Sequence, residues 1–436
     1  MRGLVTPIIL LLALLISATS LLAATWYVKP DGSGDAPTID AAADSAAPGD
    51  TILLANGTFT GDGNRDIRVY YGPLIVMSES LNPDLCVIDC GGTASEYHQG
   101  FDIRFAGEPP VIIAGVTIRG AYSTASGAIY VGTDGGLPGR LGVVGCVLTG
   151  NTSVWGGPAV YVLDGCFASL VNTRVTGNSA NSGTIYLSAN SALAITGGVF
   201  SDNSAEATGG AISLYSAALI ASSCTFQGNV AGSYGGAIYG TSSSALSLTG
   251  CSFIGNSASS GGGAIYSAGG EVILDGCSSM HNSSSYGASL DCAGEATALV
   301  TSCSFVADSS GSAALVFGPD ASTTISRTVI AFAKQATAVY CTPGGSTPTV
   351  TCSDIFGNQY GDWTGCIEGL AGTEGNISED PLFCDLAGGS VDVEDCSPCL
   401  AAHNSCSLNI GAGSSDCACG EATEPTTWGA IKAMYK

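Results

Sequence analysis

The chain has 436 residues and a formal net charge of −24, from 36 Asp and Glu against 12 Lys and Arg. That balance excludes a nucleic-acid binder, which needs a basic face, and a hydrophobic content of 45% excludes simple disorder. With 62 Gly and only 11% charged residues, the composition points to β structure with tight turns, as two or three ordinary domains or one long solenoid.

In chain order, Arg2, the apolar run over residues 8–16 and Leu22-Ala23-Ala24 predict a secretory signal peptide over 1–24. No later apolar stretch is long enough to span a bilayer as a helix, so no transmembrane segment is expected after signal removal. The 18 Cys are then expected in a compartment that permits disulfides. Residues 25–49 read as an N-terminal cap. Thr38 is placed to cap a short helix whose apolar face is Ile39, Ala42, Ala43 and Ala46, and Pro48-Gly49 stops it. Such a helix covers the open edge of a first coil.

A repeat then dominates. Asn151, Asn178, Asn203, Asn229, Asn256 and Asn282, followed by Asp308, recur at intervals of 25 to 27 residues. Ten and eight residues before each anchor stand apolar pairs such as Leu141/Val143, Leu193/Ile195, Leu246/Leu248 and Val272/Leu274. That alternation is a strand with one buried face. Three residues before the anchor lies Leu148, Val175, Phe200, Phe226, Phe253 or Phe305, with Ser279 the exception; after it, G-G-A-I recurs at 209–212, 235–238 and 262–265. Three short strands per turn cannot bury their own apolar face, whereas stacked turns bury it continuously. The fold class is therefore all-β, a parallel β-helix of about 13 turns over 50–385. The anchor Asn suits a left-handed corner and an amide ladder along the axis.

The F-x-x-N and G-G-A-I pattern resembles the repeat of chlamydial polymorphic outer-membrane proteins, and more widely the secreted right-handed parallel β-helix proteins of the pectate-lyase-like superfamily. Residues 25–61 resemble the N-terminal entry of such β-helices, and NISEDPLF at 376–383 their closing segment. The resemblance implies a right-handed coil and a secreted or bacterial cell-surface location. Residues 386–420 read as a Cys-rich C-terminal cap, and 421–436 as a linker and tail. In that tail Trp428, Ile431 and Tyr435 oppose Lys432 and Lys436, a pattern suited to docking a sorting or anchoring partner.

Cys146, Cys224, Cys251, Cys277 and Cys303 each stand five residues before an anchor and are expected to face the core, with a Cys251–Cys277 bridge sterically open. The eleven-residue gap in Cys292/Cys303 and Cys341/Cys352 fits a bridge across one corner. No cofactor or metal site is expected, because paired C-x-x-C with His is absent; calcium is the alternative. The one calcium-like run, Asp62-x-Asn64-x-Asp66, lacks the Gly and Glu that complete such a loop.

Catalytic constellations are sparse. From 141 to 310 the only Lys or Arg is Arg174, and the carboxylates there (Asp164, Asp202, Glu206, Glu271, Asp275, Asp291, Glu295, Asp308) are scattered in repeat register. The other cluster of acids and bases is Arg65, Asp66, Arg68, His98, Asp102, Arg104 and Arg119. In the third strand, the residue after each buried Ile points outward, which aligns Tyr130, Tyr161, Tyr186, Tyr239 and Tyr266, with Ser213 in the sixth place. Stacked aromatic faces suit sugar rings, and the turn spacing is of the order of a sugar unit. The function expected is a secreted or cell-surface β-helix with an adhesive, structural or carbohydrate-binding role, a polysaccharide or surface glycan as partner and no catalysis. The alternative is a polysaccharide lyase or glycoside hydrolase.

Overall fold

The computed structural model describes residues 23–105, 107–241 and 243–420. The signal segment, apart from its last two residues, and the tail at 421–436 lie outside the described residues.

Four parallel sheets run along one axis. Sheet I has thirteen strands, from Thr25–Val28 to Thr349–Thr351; sheet II has twelve, from Gly57–Thr60 to Asp354–Phe356. Sheet III has eight two- to five-residue strands, from Tyr122–Ser123 to Ser309–Ser310; sheet IV has eleven, from Ile67–Val69 to Thr337–Cys341. A regular turn visits them in that order, as in Arg140–Val144, Val147–Thr149, Thr152–Ser153 and Val160–Val162. Sheet III is the addition to the three expected strands. Its segments are too short for the two-residue alternation that reveals a strand in sequence.

Each sheet buries alternate residues. On sheet I the inward pairs Leu193/Ile195, Leu246/Leu248 and Val272/Leu274 are at most 2% exposed. On sheet II the rings of Phe200, Phe226 and Phe253 stack at 4.9 and 5.0 Å between centroids. Phe305 is also buried, one turn beyond the gap at Ser279. One apolar core runs from Val28 to Ile367. The helix Ile39–Ser45 closes its first turn. Thr38 accepts from the Ala41 amide at 3.2 Å and Ile39 and Ala42 are fully buried.

In the regular turns the corners between sheets I and II and between sheets II and III are two residues long. Between sheets II and III the left-handed residue is the one before the anchor: Gly150, Gly177, Gly228 and Gly255, or Asp202, His281 and Ala307 at φ 54–57°. The anchor Asn does not itself supply the left-handed conformation; it points inward and is at most 1% exposed. Asn151, Asn178, Asn203, Asn229 and Asn256 each donate Nδ2–H to the side-chain oxygen of the Asn one turn on, at 2.9–3.1 Å. The same oxygen also accepts the backbone N–H of the Asn it serves. The row ends at Asp308, which accepts from the amide and the side chain of Asn282. Buried amides demand partners, and a periodic column supplies them without water.

Between sheets I and II a second inward column holds Cys146, Thr173, Cys224, Cys251, Cys277 and Cys303, all buried. Cys146, Cys251 and Cys277 give S–H to a carbonyl of the preceding turn at 3.4–3.7 Å, and Thr173 gives its hydroxyl likewise. The column accepts Cys, Thr and, at Gly198, Gly alike because it asks only for a small residue. These thiols are free, and no Cys251–Cys277 bridge forms.

The corner bridges read from the eleven-residue gap are corrected by the structure. Cys341 pairs with Cys366 and Cys352 with Cys406, while Cys292 and Cys303 stay free and buried. Cys384–Cys417 and Cys396–Cys419 complete four disulfides. The closing segment does two things. Trp363, Cys366, Ile367 and Leu370 pack on the end of the core. Phe383, Leu386, Val393 and Ile410 return along the outside of sheet II, where they cover Met280, Val306, Val329 and Ala331.

Candidate functional site

On sheet IV the outward row reads Arg68, Asp102, Tyr130, Tyr161, Tyr186, Ser213, Tyr239, Tyr266, Asp291, Val316 and Tyr340, each residue in register with the next. The five tyrosines expected from the sequence stand together here. Tyr130–Tyr161, Tyr161–Tyr186 and Tyr239–Tyr266 stack with centroids 5.8, 5.0 and 5.6 Å apart.

The gap at Ser213 is filled by a ring the sequence reading missed. Ser213 is buried and donates to the Thr208 carbonyl at 2.9 Å. Tyr215, two residues on, places its ring 5.0 Å from Tyr186 and 6.0 Å from Tyr239. The signal was there: I-S-L-Y moves the tyrosine by one strand alternation, onto the same outward face. Six rings thus make an unbroken ladder about 25 Å long at the strand spacing. Each ring is part-buried; Tyr161 and Tyr186 have a ring against both faces, so the ladder presents ring edges and hydroxyls outward. Burial pushes the Tyr186 and Tyr266 hydroxyls up to about 12, so the ladder stays uncharged at physiological pH.

The two ends differ. At the N-terminal end, the Arg104 guanidinium lies 5.5 Å from the centroids of both Tyr70 and Tyr130. Asp102 holds it with Nε–Oδ1 at 2.9 Å and Nη2–Oδ2 at 3.0 Å, and also accepts the Tyr70 hydroxyl at 2.7 Å. Asp102 and Arg104 thus pair with each other there. At the C-terminal end Asp291 follows Tyr266, is 7% exposed, and its carboxylate accepts no hydrogen bond from any described residue. Burial alone pushes it up to about 7.

Of the remaining acid–base candidates, Arg65, Asp66 and His98 gather with Glu96, which lies 3.9 Å from Arg65 and 3.3 Å from His98 Nε2, whereas Arg119 and Arg174 pair elsewhere. Arg65 pairs with Asp62 at 2.9 Å and Arg119 with Asp89 at 2.9 Å. His98 Nδ1 meets Asp66 at 2.7 Å, and Arg174 reaches Asp84 at 3.0 Å. Asn64, from the calcium-like run, accepts from the Ile39 amide and donates to the Thr60 carbonyl, so it serves the helix start and the adjoining loop. A Glu394, Cys396 and Cys419 cluster has ligand geometry, but its two sulfurs are joined in a disulfide.

Residues 99–279 match the family model described as "Right handed beta helix region". The chain is a right-handed parallel β-helix. Among solved structures it is similar to the pectate lyase Pel9A, at 13% identity over 92% of this chain and 98% of that one, with a TM-score of 0.49. It is also similar to the PL6 family alginate lyase AlyGC, at 14% identity over 82% of this β-helix and 53% of that chain, TM-score 0.46. The GH87 α-1,3-glucanase of Streptomyces thermodiastaticus matches at 11% identity over 80% and 71%, TM-score 0.35. No curated protein matches. At these identities the likenesses concern the fold alone.

Proposed function

We propose that this β-helix is a secreted or cell-surface protein that binds a glycan on its tyrosine ladder without cleaving it. The observation that carries the reading is the ladder: six part-exposed rings on one flat sheet, repeating at about one sugar unit. Mutual stacking at about 0.5–1.5 kcal/mol per pair stabilises sheet IV, yet shape alone does not require tyrosine there. A phenol joins an apolar face to a polar rim, which suits a pyranose. Four disulfides support an oxidising compartment. The strongly acidic chain disfavours polyuronates and favours neutral or cationic glycans.

The test is a glycan array followed by a reducing-end assay on every hit. Binding without release of reducing ends or unsaturated products is expected. Tyr239→Ala with Tyr266→Ala is expected to weaken binding at least tenfold with the fold intact. Unchanged binding in that variant makes the ladder a structural device only, and sugar release on a hit replaces the binding role with a catalytic one.

A further inference from the structure

The corner before each sheet IV strand forms a column of its own, in which Tyr234 bridges Gly261 and Gly261 bridges Tyr286. Tyr234 and Tyr286 are 38% and 53% exposed. Gly261, between them, carries no side chain and leaves a notch one turn wide that the Asp291 carboxylate occupies. Its φ lies outside the left-handed region, so the backbone does not demand glycine. What fills the place of a side chain is Asp291: a Cβ at 261 would collide with Asp291 Oδ2. One wall is Tyr266, which follows Tyr239 in the ladder and against which the Tyr234 ring leans at 4.5 Å and 41°.

An ionised carboxylate that is more than nine-tenths buried with no donor is costly to maintain. Among the described residues no Lys, Arg or His forms an ion pair with it. Arg174, the one Lys or Arg between 141 and 310, is engaged by Asp84. The missing partner is therefore to be supplied from outside, beside aromatic faces and in an acidic field. We propose that Asp291, Gly261, Tyr234, Tyr266 and Tyr286 form a terminal subsite that recognises an amino sugar bearing a free ammonium group. The sugar face rests on the tyrosines and the ammonium pairs with Asp291, a charge-assisted bond in a poorly solvated notch. Neutral sugars gain the stacking but leave the charge uncompensated. This inference rests on the ladder as a glycan-binding surface.

Calorimetric titration of the full-length secreted chain at pH 7 with three probes tests it: a glucosamine hexamer, an N-acetylglucosamine hexamer and cellohexaose. Wild type is expected to prefer the glucosamine hexamer at least tenfold. Asp291→Asn is expected to erase that preference and leave cellohexaose binding unchanged. Gly261→Ala, whose Cβ displaces the Asp291 carboxylate, should do the same. Tyr161→Ala with Tyr186→Ala, remote from the notch, should weaken all three. Thermal melts of each variant establish that it is folded. The subsite is overturned if the glucosamine hexamer does not bind, if the three probes bind alike, or if Asp291→Asn retains the preference. It is equally overturned if Ca²⁺ alone stabilises wild type but not Asp291→Asn, since the notch is then a cation site. Loss of the preference claim with the Tyr161/Tyr186 effect intact leaves the ladder standing; a glycan that binds regardless of those tyrosines removes the ladder itself.

Discussion

Seven cysteines lie between residues 141 and 310, and all seven are buried free thiols; of nine between 341 and 419, eight are in disulfides and only Cys399 is free. The difference follows from neighbours. A middle turn has a copy of itself above and below, so Phe, Asn, Cys and Tyr columns satisfy packing and hydrogen bonding by repetition. The closing segment has a neighbour on one side only and breaks the period, so covalent links replace the missing contacts. Where a repeat ends, order has to come from a different source.

Reduction should separate the two regions most sharply. A bridge closing a loop as long as that of Cys352–Cys406, 54 residues apart, stabilises by roughly 4 kcal/mol, and four go at once. Limited proteolysis under reducing conditions is expected to clip 352–419 first while the turns from 141 to 310 resist. Simultaneous loss of both regions would falsify the division.

Phe226→Ala strikes the opposite region. Its ring stacks on Phe200 and Phe253, and removal should cost ~3–5 kcal/mol. Hydrogen exchange should rise in the adjacent turns and leave the disulfide-linked segment unaffected.

Acidity gives a third comparison. Burial raises Asp291 and Asp354 to about 7 and Asp308 to about 6, whereas an unfolded Asp ionises near 4. Between about pH 4 and 7 the folded chain therefore holds more protons than the unfolded one, so stability falls as pH rises through that window. The gain is fully present below it and lost above it. Each such group contributes up to ~1.4 kcal/mol per pH unit. Melts at pH 4.5 and 7.5 should show the loss. Asp291→Asn should flatten it for the middle turns, and Asp354→Asn for the closing segment, where Cys399 donates to Asp354 at 3.3 Å. A pH response identical in both variants and wild type rejects the assignment.

The smallest expected effect is Asn229→Ala, about 1–3 kcal/mol. It removes the oxygen that accepts from both nitrogens of Asn203. Denaturation should shift less than for Phe226→Ala; an equal or larger shift would mean that the amide row, not the aromatic stack, sets the strength of the turns.

Much of this was legible because repetition makes one-dimensional sequence report three-dimensional neighbours. Phe226 and Phe253 are 27 residues apart and in contact. The Tyr stripe was visible for the same reason, but Tyr215 was hidden because it joins the ladder from two residues along. The left-handed corner was assigned one residue late, since Gly-Asn looks alike whichever member turns. Disulfide pairing was not legible, because Cys352 meets Cys406 through a segment that doubles back outside the period. Gly261 and Asp291 lie in different columns, 30 residues apart, and no periodic rule links them.

The amide row has a direction. Every Asn nitrogen points toward the later turn and every oxygen toward the earlier one, so the side chains add up to a polar wire with its positive pole at the last rung. Asp308 places a carboxylate at that pole, with Ser279 and Ser289 donating to it. A coil of near-identical turns can slide by one turn and still match its columns almost everywhere. A slide would set this carboxylate against an amide oxygen or leave the pole bare. Asp308 thus acts as an end-stop in the alphabet of the repeat, a single-atom substitution of oxygen for nitrogen that marks where the Asn row stops, two turns before the coil itself ends.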